Sequence, residues 1–389
     1  MKPLHALDAG GVPPAGAAIL CLAAAACGSL VIDERGAGSS ATASSLAGGS
    51  GGASSATAGF PGGEGGGTAG VGGTGGTGGT PDCSVHKLSV LAAKQPRINW
   101  IALDATNVYW SNEDLNKNQA QIRMVPKAGG SVTDLVTTTA SPRQIAVDGT
   151  HVYWSEVSSA SVMGEPSAKT TIYSIPKAGG PSAKKELAWV PGAFTTGLSV
   201  DPDRVYWSDS ESAIYSVSRS GDPDTIAFLT KDIPYAFDRD GVKTDQDRIY
   251  WLENTANVMS MSRAGGMPTV IGGVPENSFF FAMDEGRIYW GDTGTGLGTG
   301  QLVSVSKDGG PLTTVVANMD GVLATAVNAS CVYWTTAYLP VNELRTAPKS
   351  GGDPILIAPV EMSNAALAAD ESGVYWDESS THSLMRATK

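Results

Sequence analysis

The chain has 389 residues, 49 of them glycine, with a formal net charge of −12 and only 16% charged residues. An acidic balance without a basic cluster argues against nucleic acid and anionic membrane surfaces as partners. Long stretches with helical periodicity are absent, which predicts an all-β protein.

Residues 1–27 have the features of a secretory signal. The segment from Ala15 to Ala26 is nearly all apolar but too short to span a bilayer. It leads through small residues into Cys27, which resembles the lipobox of bacterial lipoproteins, where the cysteine is acylated. We favour lipid attachment at Cys27, in the outer membrane or at the cell surface. The alternative is cleavage in the alanine run, which gives a soluble secreted product.

Residues 28–82 are a low-complexity segment of glycine, serine, alanine and threonine. Such a composition cannot bury a core, so we expect a disordered tether. A flexible chain of this length would span about 40 Å. The tether would hold the folded domain, residues 83–389, away from a membrane to which only the lipid anchors it.

The folded domain is organised around the dipeptide Tyr-Trp, which returns at intervals of 39 to 53 residues. Its seven copies begin at Tyr109, Tyr153, Tyr206, Tyr250, Tyr289, Tyr333 and Tyr375. Self-similarity with this period is typical of propellers, in which each copy is one four-stranded blade. Both faces of a blade are covered by its neighbours, so two adjacent aromatic residues can both be interior. We therefore interpret the pairs as wedges between blades and not as an aromatic ligand cage.

Each copy contains the same parts, as the second copy illustrates. Residues 144–147, 152–155 and 171–175 have the composition of successive strands. A corner of Lys177-Ala178-Gly179-Gly180 then turns the chain into the fourth strand, because glycine supplies the positive φ that tight turns need. The last copy ends after its third strand, and residues 87–91 are a strand without a partner. We predict a seven-bladed β-propeller whose N-terminal strand completes the last blade and removes an exposed edge.

The repeats resemble the YWTD propeller repeats of lipoprotein-receptor ectodomains. The third copy carries the likeness best, with Tyr206-Trp207-Ser208-Asp209, and the resemblance covers residues 84–389. The family pattern has six repeats where this chain has seven, and the Thr-Asp half varies between copies. The resemblance implies extracytoplasmic binding of proteins or peptides without catalysis.

Acidic residues recur at two places in the copies. One set ends the first strand, where a carboxylate can cap a turn through backbone N–H groups: Asp104, Asp148, Asp201, Asp245, Asp284 and Asp370, with Asn328 in the sixth copy. The other set follows the Trp: Glu113, Asp114, Glu156, Asp209, Glu253, Asp292, Asp377 and Glu378. We expect the second set to be a solvated acidic rim and expect no cofactor; the alternative is a Ca²⁺ site built from these oxygens.

Cys83 and Cys331 remain in the folded domain after export. Two thiols in an oxidising compartment can pair, but sequence alone does not show proximity. A disulfide and two free thiols therefore both stay open.

Two classes of function fit these features. The first is a monomeric, non-catalytic interaction module that binds a protein, peptide or glycan on one face. Its recognition would use the variable connection between second and third strands, which is longest after Ser155. The second is a hydrolase or lactonase with a metal in the central channel. Its polar residues would come from the inner ends of first strands: Asn99, Gln144, Asp240, Asn277, Asp320 and Asn364.

Overall fold

The structure is a computed structural model. It describes residues 81–158, 169–191, 194–211, 213–230, 241–253, 257–273, 278–336, 341–362 and 366–389. These ranges form seven four-stranded antiparallel sheets arranged as the blades of a β-propeller, which confirms the predicted fold class. The predicted signal segment, Cys27 and the tether up to residue 80 lie outside the described residues.

Each blade is a meander whose first strand lies innermost and whose fourth strand lies outermost. Blade 1 consists of β2 (Arg97–Leu103), β3 (Asn107–Asp114), β4 (Gln119–Pro126) and β5 (Thr133–Thr138). Blade 2 consists of β6 (Ser141–Val147), β7 (His151–Ser158), β8 (Lys169–Pro176) and β9 (Lys185–Pro191). Blade 3 consists of β10 (Thr195–Val200), β11 (Arg204–Asp209), β12 (Ile214–Ser218) and β13 (Ala227–Thr230). Blade 4 consists of β14 (Lys243–Thr244), β15 (Arg248–Glu253), β16 (Asn257–Ser262) and β17 (Thr269–Gly273). Blade 5 consists of β18 (Ser278–Met283), β19 (Arg287–Asp292), β20 (Gly300–Ser306) and β21 (Thr313–Met319). Blade 6 consists of β22 (Ala324–Val327), β23 (Cys331–Thr335), β24 (Asn342–Pro348) and β25 (Ile355–Val360).

Blade 7 is built from both ends of the described chain. Its inner strands are β26 (Leu367–Asp370), β27 (Gly373–Glu378) and β28 (Ser383–Thr388), and its outermost strand is β1 (Lys87–Ala92). Lys87 pairs with Thr388 and Val90 with Met385, in antiparallel register. The predicted closing strand is therefore confirmed.

Helical structure in the described residues is confined to two short 3-10 turns, Pro181–Ala183 and Pro223–Thr225. No helix in these ranges is long and apolar enough to cross a membrane. The corners between third and fourth strands turn through glycines in the predicted manner, with φ of 75° at Gly179 and 109° at Gly180.

Apart from a small cluster of Phe280 and Ala324, the core of the described residues is divided into seven clusters, one at each interface between blades. In each cluster the Tyr of one blade packs with the Trp of the next: Tyr109 with Trp154, Tyr153 with Trp207, Tyr206 with Trp251, Tyr250 with Trp290, Tyr289 with Trp334, Tyr333 with Trp376 and Tyr375 with Trp110. None of these side chains is more than 2% exposed. Burying one Trp contributes on the order of 4–6 kcal/mol as an upper bound. The interpretation of the Tyr-Trp pairs as wedges is confirmed.

A disulfide joins Cys83 to Cys331. Cys83 precedes the outermost strand of blade 7, whereas Cys331 opens the second strand of blade 6, and both residues are fully buried. Their Cα atoms are 5.8 Å apart, within the usual range for a disulfide. The bond thus crosses the interface between blade 7 and blade 6.

Deleting residues 84–92 should lower the melting temperature of the whole propeller. The deletion removes β1 and leaves β28 as an open edge in a ring whose blades are otherwise enclosed. Deleting residues 28–80 is the matched control, because it removes more residues and should leave the melting temperature unchanged. Equal melting temperatures for the two deletions, measured by circular dichroism, would contradict the role assigned to β1.

Candidate functional site

One face of the propeller carries the turns between first and second strands and the corners between third and fourth strands; we call it the turn face. An aspartate or, in blade 6, an asparagine caps the first turn, as Asp104 shows. Its Oδ1 accepts hydrogen bonds from the backbone N–H groups of Thr106 (2.8 Å) and Asn107 (2.7 Å). The same pair of bonds recurs at the corresponding aspartates of blades 2 to 5 and at Asn328, so the predicted turn capping is confirmed.

The second carboxylate oxygen ties two blades together. Asp104 Oδ2 accepts from the hydroxyl of Tyr109 at 2.8 Å and from Lys177 Nζ at 2.6 Å. Lys177 belongs to the corner of the next blade, and its Nζ lies 5.4 Å from the Tyr109 ring centroid. One aspartate therefore binds its own turn, its own Tyr-Trp strand and the neighbouring blade.

The ion pair between this aspartate and the corner Lys or Arg of the next blade recurs at six of the seven interfaces. The ion pairs are Asp104–Lys177, Asp148–Arg219, Asp201–Arg263, Asp245–Lys307, Asp284–Lys349 and Asp370–Lys127. The interface between blades 6 and 7 differs. There Asn328 Nδ2 donates to the Tyr333 hydroxyl (3.2 Å) and to the Asp370 carbonyl (3.3 Å), and the Cys83–Cys331 disulfide crosses the same interface.

These contacts perturb the titration of both partners. Burial acts to raise the pKa of Asp245, but hydrogen bonds from the Asp247 N–H, Lys307, the Arg248 N–H and Tyr250 outweigh it and lower the pKa to about 2. Burial and the bond to Asp245 raise the pKa of the Tyr250 phenol far above its ordinary value. Perturbed groups often mark active sites, but here the same shifts repeat around the ring at contacts between blades. We therefore assign them to the framework.

The opposite face carries the connections between second and third strands and those from each blade to the next; we call it the loop face. The expectation of a solvated acidic rim here is wrong for five of the eight residues after the Trp: Glu156, Asp209, Asp292, Asp377 and Glu378 are buried. The reason is that buried N–H groups next to these strand ends need hydrogen-bond acceptors, and the carboxylates supply them.

Two of the five illustrate this use. Glu156 Oε1 accepts from the indole N–H of Trp154 at 2.8 Å and from Lys184 Nζ at 2.7 Å. Asp209 Oδ1 accepts from the N–H groups of Glu211 and Ala213, while burial raises its pKa. Among the residues that the structure describes, no three His, Cys, Asp or Glu side chains form a cluster able to hold a metal ion.

Of the six predicted channel residues, the three that the structure describes do not form one group. Asp240, Asn277 and Asn364 lie outside the described residues. Asn99 is buried, and its Nδ2 donates to the Pro142 carbonyl of the next blade at 2.9 Å. Asp320 accepts from the Gly298 N–H at 2.9 Å in a connection of the loop face. Gln144 lines the central cavity, and its Oε1 accepts from Thr195 at 2.9 Å.

The central cavity has a volume of about 320 Å³ and is lined by first strands of all seven blades. Most of the described residues that line it have apolar side chains, and none carries a carboxylate; the polar side chains are those of Gln144, Lys243 and Thr325. Trp100 of blade 1 and Phe280 of blade 5 meet across it with ring centroids 6.4 Å apart. Sequence reasoning missed Lys243 and Thr325, because their depth in the channel follows only from the register of strand pairing.

Comparisons with known proteins identify the fold. No family model matches the chain, and no curated protein matches it. A puromycin hydrolase mutant complexed with PGG is 12% identical, with a TM-score of 0.53, and the match covers 74% of this chain and half (50%) of that one. A nidogen/laminin complex is 16% identical (TM-score 0.44, 61% of this chain and 88% of that one), and TolB from Acinetobacter baumannii is 10% identical (TM-score 0.44, 73% and 64%). At these identities the likeness extends to the propeller fold alone.

Replacing Asp245 with Asn should destabilise the protein in a pH-dependent way. Because the pKa of Asp245 is lower in the folded than in the unfolded state, its contribution is present above about pH 4 and is lost as pH falls through about 2. We expect Asp245→Asn to cost about 1–2 kcal/mol at pH 7, allowing for solvent screening, and much less near pH 2.

Urea unfolding at several pH values measures this difference. Asp353→Asn is the matched control, since Asp353 is exposed on the corner of blade 6 and should show no such cost. A cost for Asp245→Asn that is equal at pH 7 and pH 2, or equal to that of the control, would contradict the assignment.

Proposed function

We propose that the protein is an exported, non-catalytic interaction module that binds a protein or peptide partner through its loop face. One observation carries this proposal. The side chains that repeat around the ring are engaged in joining the blades, whereas the connections of the loop face differ from blade to blade. A rigid ring with variable connections on one face is a scaffold suited to recognition.

The loop face also exposes large apolar side chains from separate blades. They are Leu115 in blade 1, Phe194 after blade 2, Leu297 in blade 5 and Val341 in blade 6. Single exposed apolar residues are ordinary, but a set on one face supplies the kind of contact that protein partners bury. The connection between β3 and β4 has four residues and that between β19 and β20 has seven, so the connections of the loop face differ in length.

Two further features support export. The Cys83–Cys331 disulfide is of the kind that forms and persists in oxidising compartments. The likeness of the repeats to YWTD propellers points to the same setting and to binding without catalysis. We propose residues 1–27 as a signal, 28–82 as a tether and 83–389 as a monomeric propeller, anchored through lipid on Cys27.

The binding module is better supported than a metal-dependent hydrolase. A hydrolase of this kind needs carboxylates or several amides converging in the channel. Of the described channel candidates, Gln144 alone reaches the cavity, and its oxygen is already bonded to Thr195 and Ser155.

Charged substitutions on the loop face should abolish partner binding without affecting stability. We expect Leu115→Asp combined with Leu297→Asp to weaken retention of an envelope or extracellular partner at least tenfold, because each exposed apolar contact is replaced by a charge. Affinity capture from the producing cells, followed by titration of the retained protein, measures the effect.

Met267→Asp is the matched control, because Met267 is 90% exposed but lies on the turn face. All variants should melt like the native protein. Loss of the same partner with Met267→Asp, or hydrolytic turnover that survives the loop-face substitutions, would contradict the proposal.

Cys27→Ser should move the protein from the membrane fraction to the soluble fraction. The reason is that the proposed anchor is thioether-linked lipid on Cys27, and serine cannot form that linkage. Cys21→Ser is the control and should leave the protein in the membrane fraction. An unmodified mature N-terminus, found by mass spectrometry of the native protein, would contradict lipid attachment.

A further inference from the structure

Cys83 is the point at which the N-terminal part of the chain enters the core of the propeller. It precedes β1, which begins at Lys87, and its disulfide leads to Cys331 in blade 6. A pull on the chain before residue 83 therefore reaches the disulfide before it reaches the strand that completes blade 7. Cys83 is 1% exposed and packs in the core between blades 6 and 7, so the bond is embedded in the fold.

We propose that the Cys83–Cys331 disulfide is a mechanical anchor, which transfers tension on the N-terminal segment past β1 and into the interior of blade 6. A domain that is held at one end and binds a partner on its loop face is pulled at both points. The anchor rests on the proposed function only for this source of load, and its action requires neither the lipid nor the partner.

β1 is the weaker of the two places at which such a load can enter the propeller. As the outermost strand of blade 7 it pairs on one side only, with β28, and its register shifts between Val90 and Ala92. Leu88 and Val90 are 51% and 53% exposed, so these two apolar side chains contribute little burial that would hold the strand. Segments with few buried apolar contacts are the first to open.

β23, which begins at Cys331, is held on both sides. It pairs with β22 and, from Cys331 to Thr335, with β24. All of its residues are buried, and Cys331 packs in the cluster that contains Tyr333 and Trp376. Load on Cys331 is therefore shared by two ladders of hydrogen bonds and by the core between blades 6 and 7.

The disulfide also limits how much of the chain a pull can extend. It closes a loop with a sequence separation of 248 residues, and this loop contains blades 1 to 5. Because both ends of the loop meet at the bond, tension between the N-terminal segment and Lys389 extends only residues 332–389, by roughly 210 Å. Without the bond the same pull extends residues 84–389, by roughly 1,100 Å.

Optical tweezers applied to the full chain test the anchor. One handle is attached within residues 28–80, and the other at position 267, because Met267 is 90% exposed in the corner of blade 4. The native protein should unfold without first releasing β1. Cys83→Ser combined with Cys331→Ser should first release residues 84–96, in a step of at most about 47 Å. This release should need no more than about half the force at which the native protein first yields.

Asp104→Asn is the matched control, because it removes an ion pair between blades 1 and 2 and keeps the disulfide. It should lower the unfolding force without an early release of residues 84–96. A loss of stability anywhere in the ring is thereby distinguished from a load that enters through β1.

If the double variant does not fold, the native protein decides alone. With the second handle at Lys389, its complete unfolding should add roughly 210 Å. An early release of residues 84–96 from the native protein, a native extension near 1,100 Å, or a double variant that first yields at the native force overturns the proposal.

Discussion

The ring of blades depends on one contact, in which an aspartate accepts hydrogen bonds from its own turn, from a Tyr hydroxyl and from a cation of the next blade. At the turn face each aspartate accepts bonds from its own turn, and in most blades from its own Tyr hydroxyl and the Lys or Arg of the next blade, as Asp104 does. Removing one partner of such a half-buried pair leaves a charge without compensation, which is costly. Because the same aspartate orients the Tyr that wedges against the next Trp, polar fastening and apolar packing act at the same place.

The interface between blades 6 and 7 shows how the ring closes where this contact is absent. Asn328 occupies the aspartate position, so no carboxylate there requires a cation. A disulfide links the two blades instead, and it closes a loop with a sequence separation of 248 residues. Disulfides typically contribute about 2–4 kcal/mol, comparable to or greater than an ion pair of this kind. Blade 7, in which β1 and β28 pair as strands, is therefore also joined covalently to blade 6.

Sequence features within one copy of the repeat were sufficient to predict the blades. Contacts between neighbouring blades could not be predicted from such features. The Tyr-Trp spacing, the glycine corners and the turn aspartates act within one copy, and the structure confirms each. The partnership of Asp104 with Lys177 spans 73 residues between copies, so the corner lysine gave no sign of its role beyond the turn. The acids after the Trp were expected in solvent because the depth of their strand ends depends on packing between blades.

The residues that line the channel could not be predicted from the sequence for the same reason. Asn99, Gln144 and Asp320 were grouped by their position near first strands, yet they serve different contacts. Lys243 stands in a first strand of only two residues, Lys243–Thr244, where no apolar pattern marks the inner position. Its pairing with Tyr250 places it level with Ala282, Ala326 and Ala368, which pair with the Tyr residues of blades 5, 6 and 7.

The open channel is a consequence of how the blades are spaced. Protein interiors are close-packed, so a level lined by alanines would ordinarily collapse until it was filled. Here the Tyr and Trp wedges lie between every pair of blades and set their separation independently of what the first strands carry. At one end of the channel, Trp100 and Phe280 are large enough to meet. At the alanine level the wedges keep the walls apart, so the central cavity stays open there.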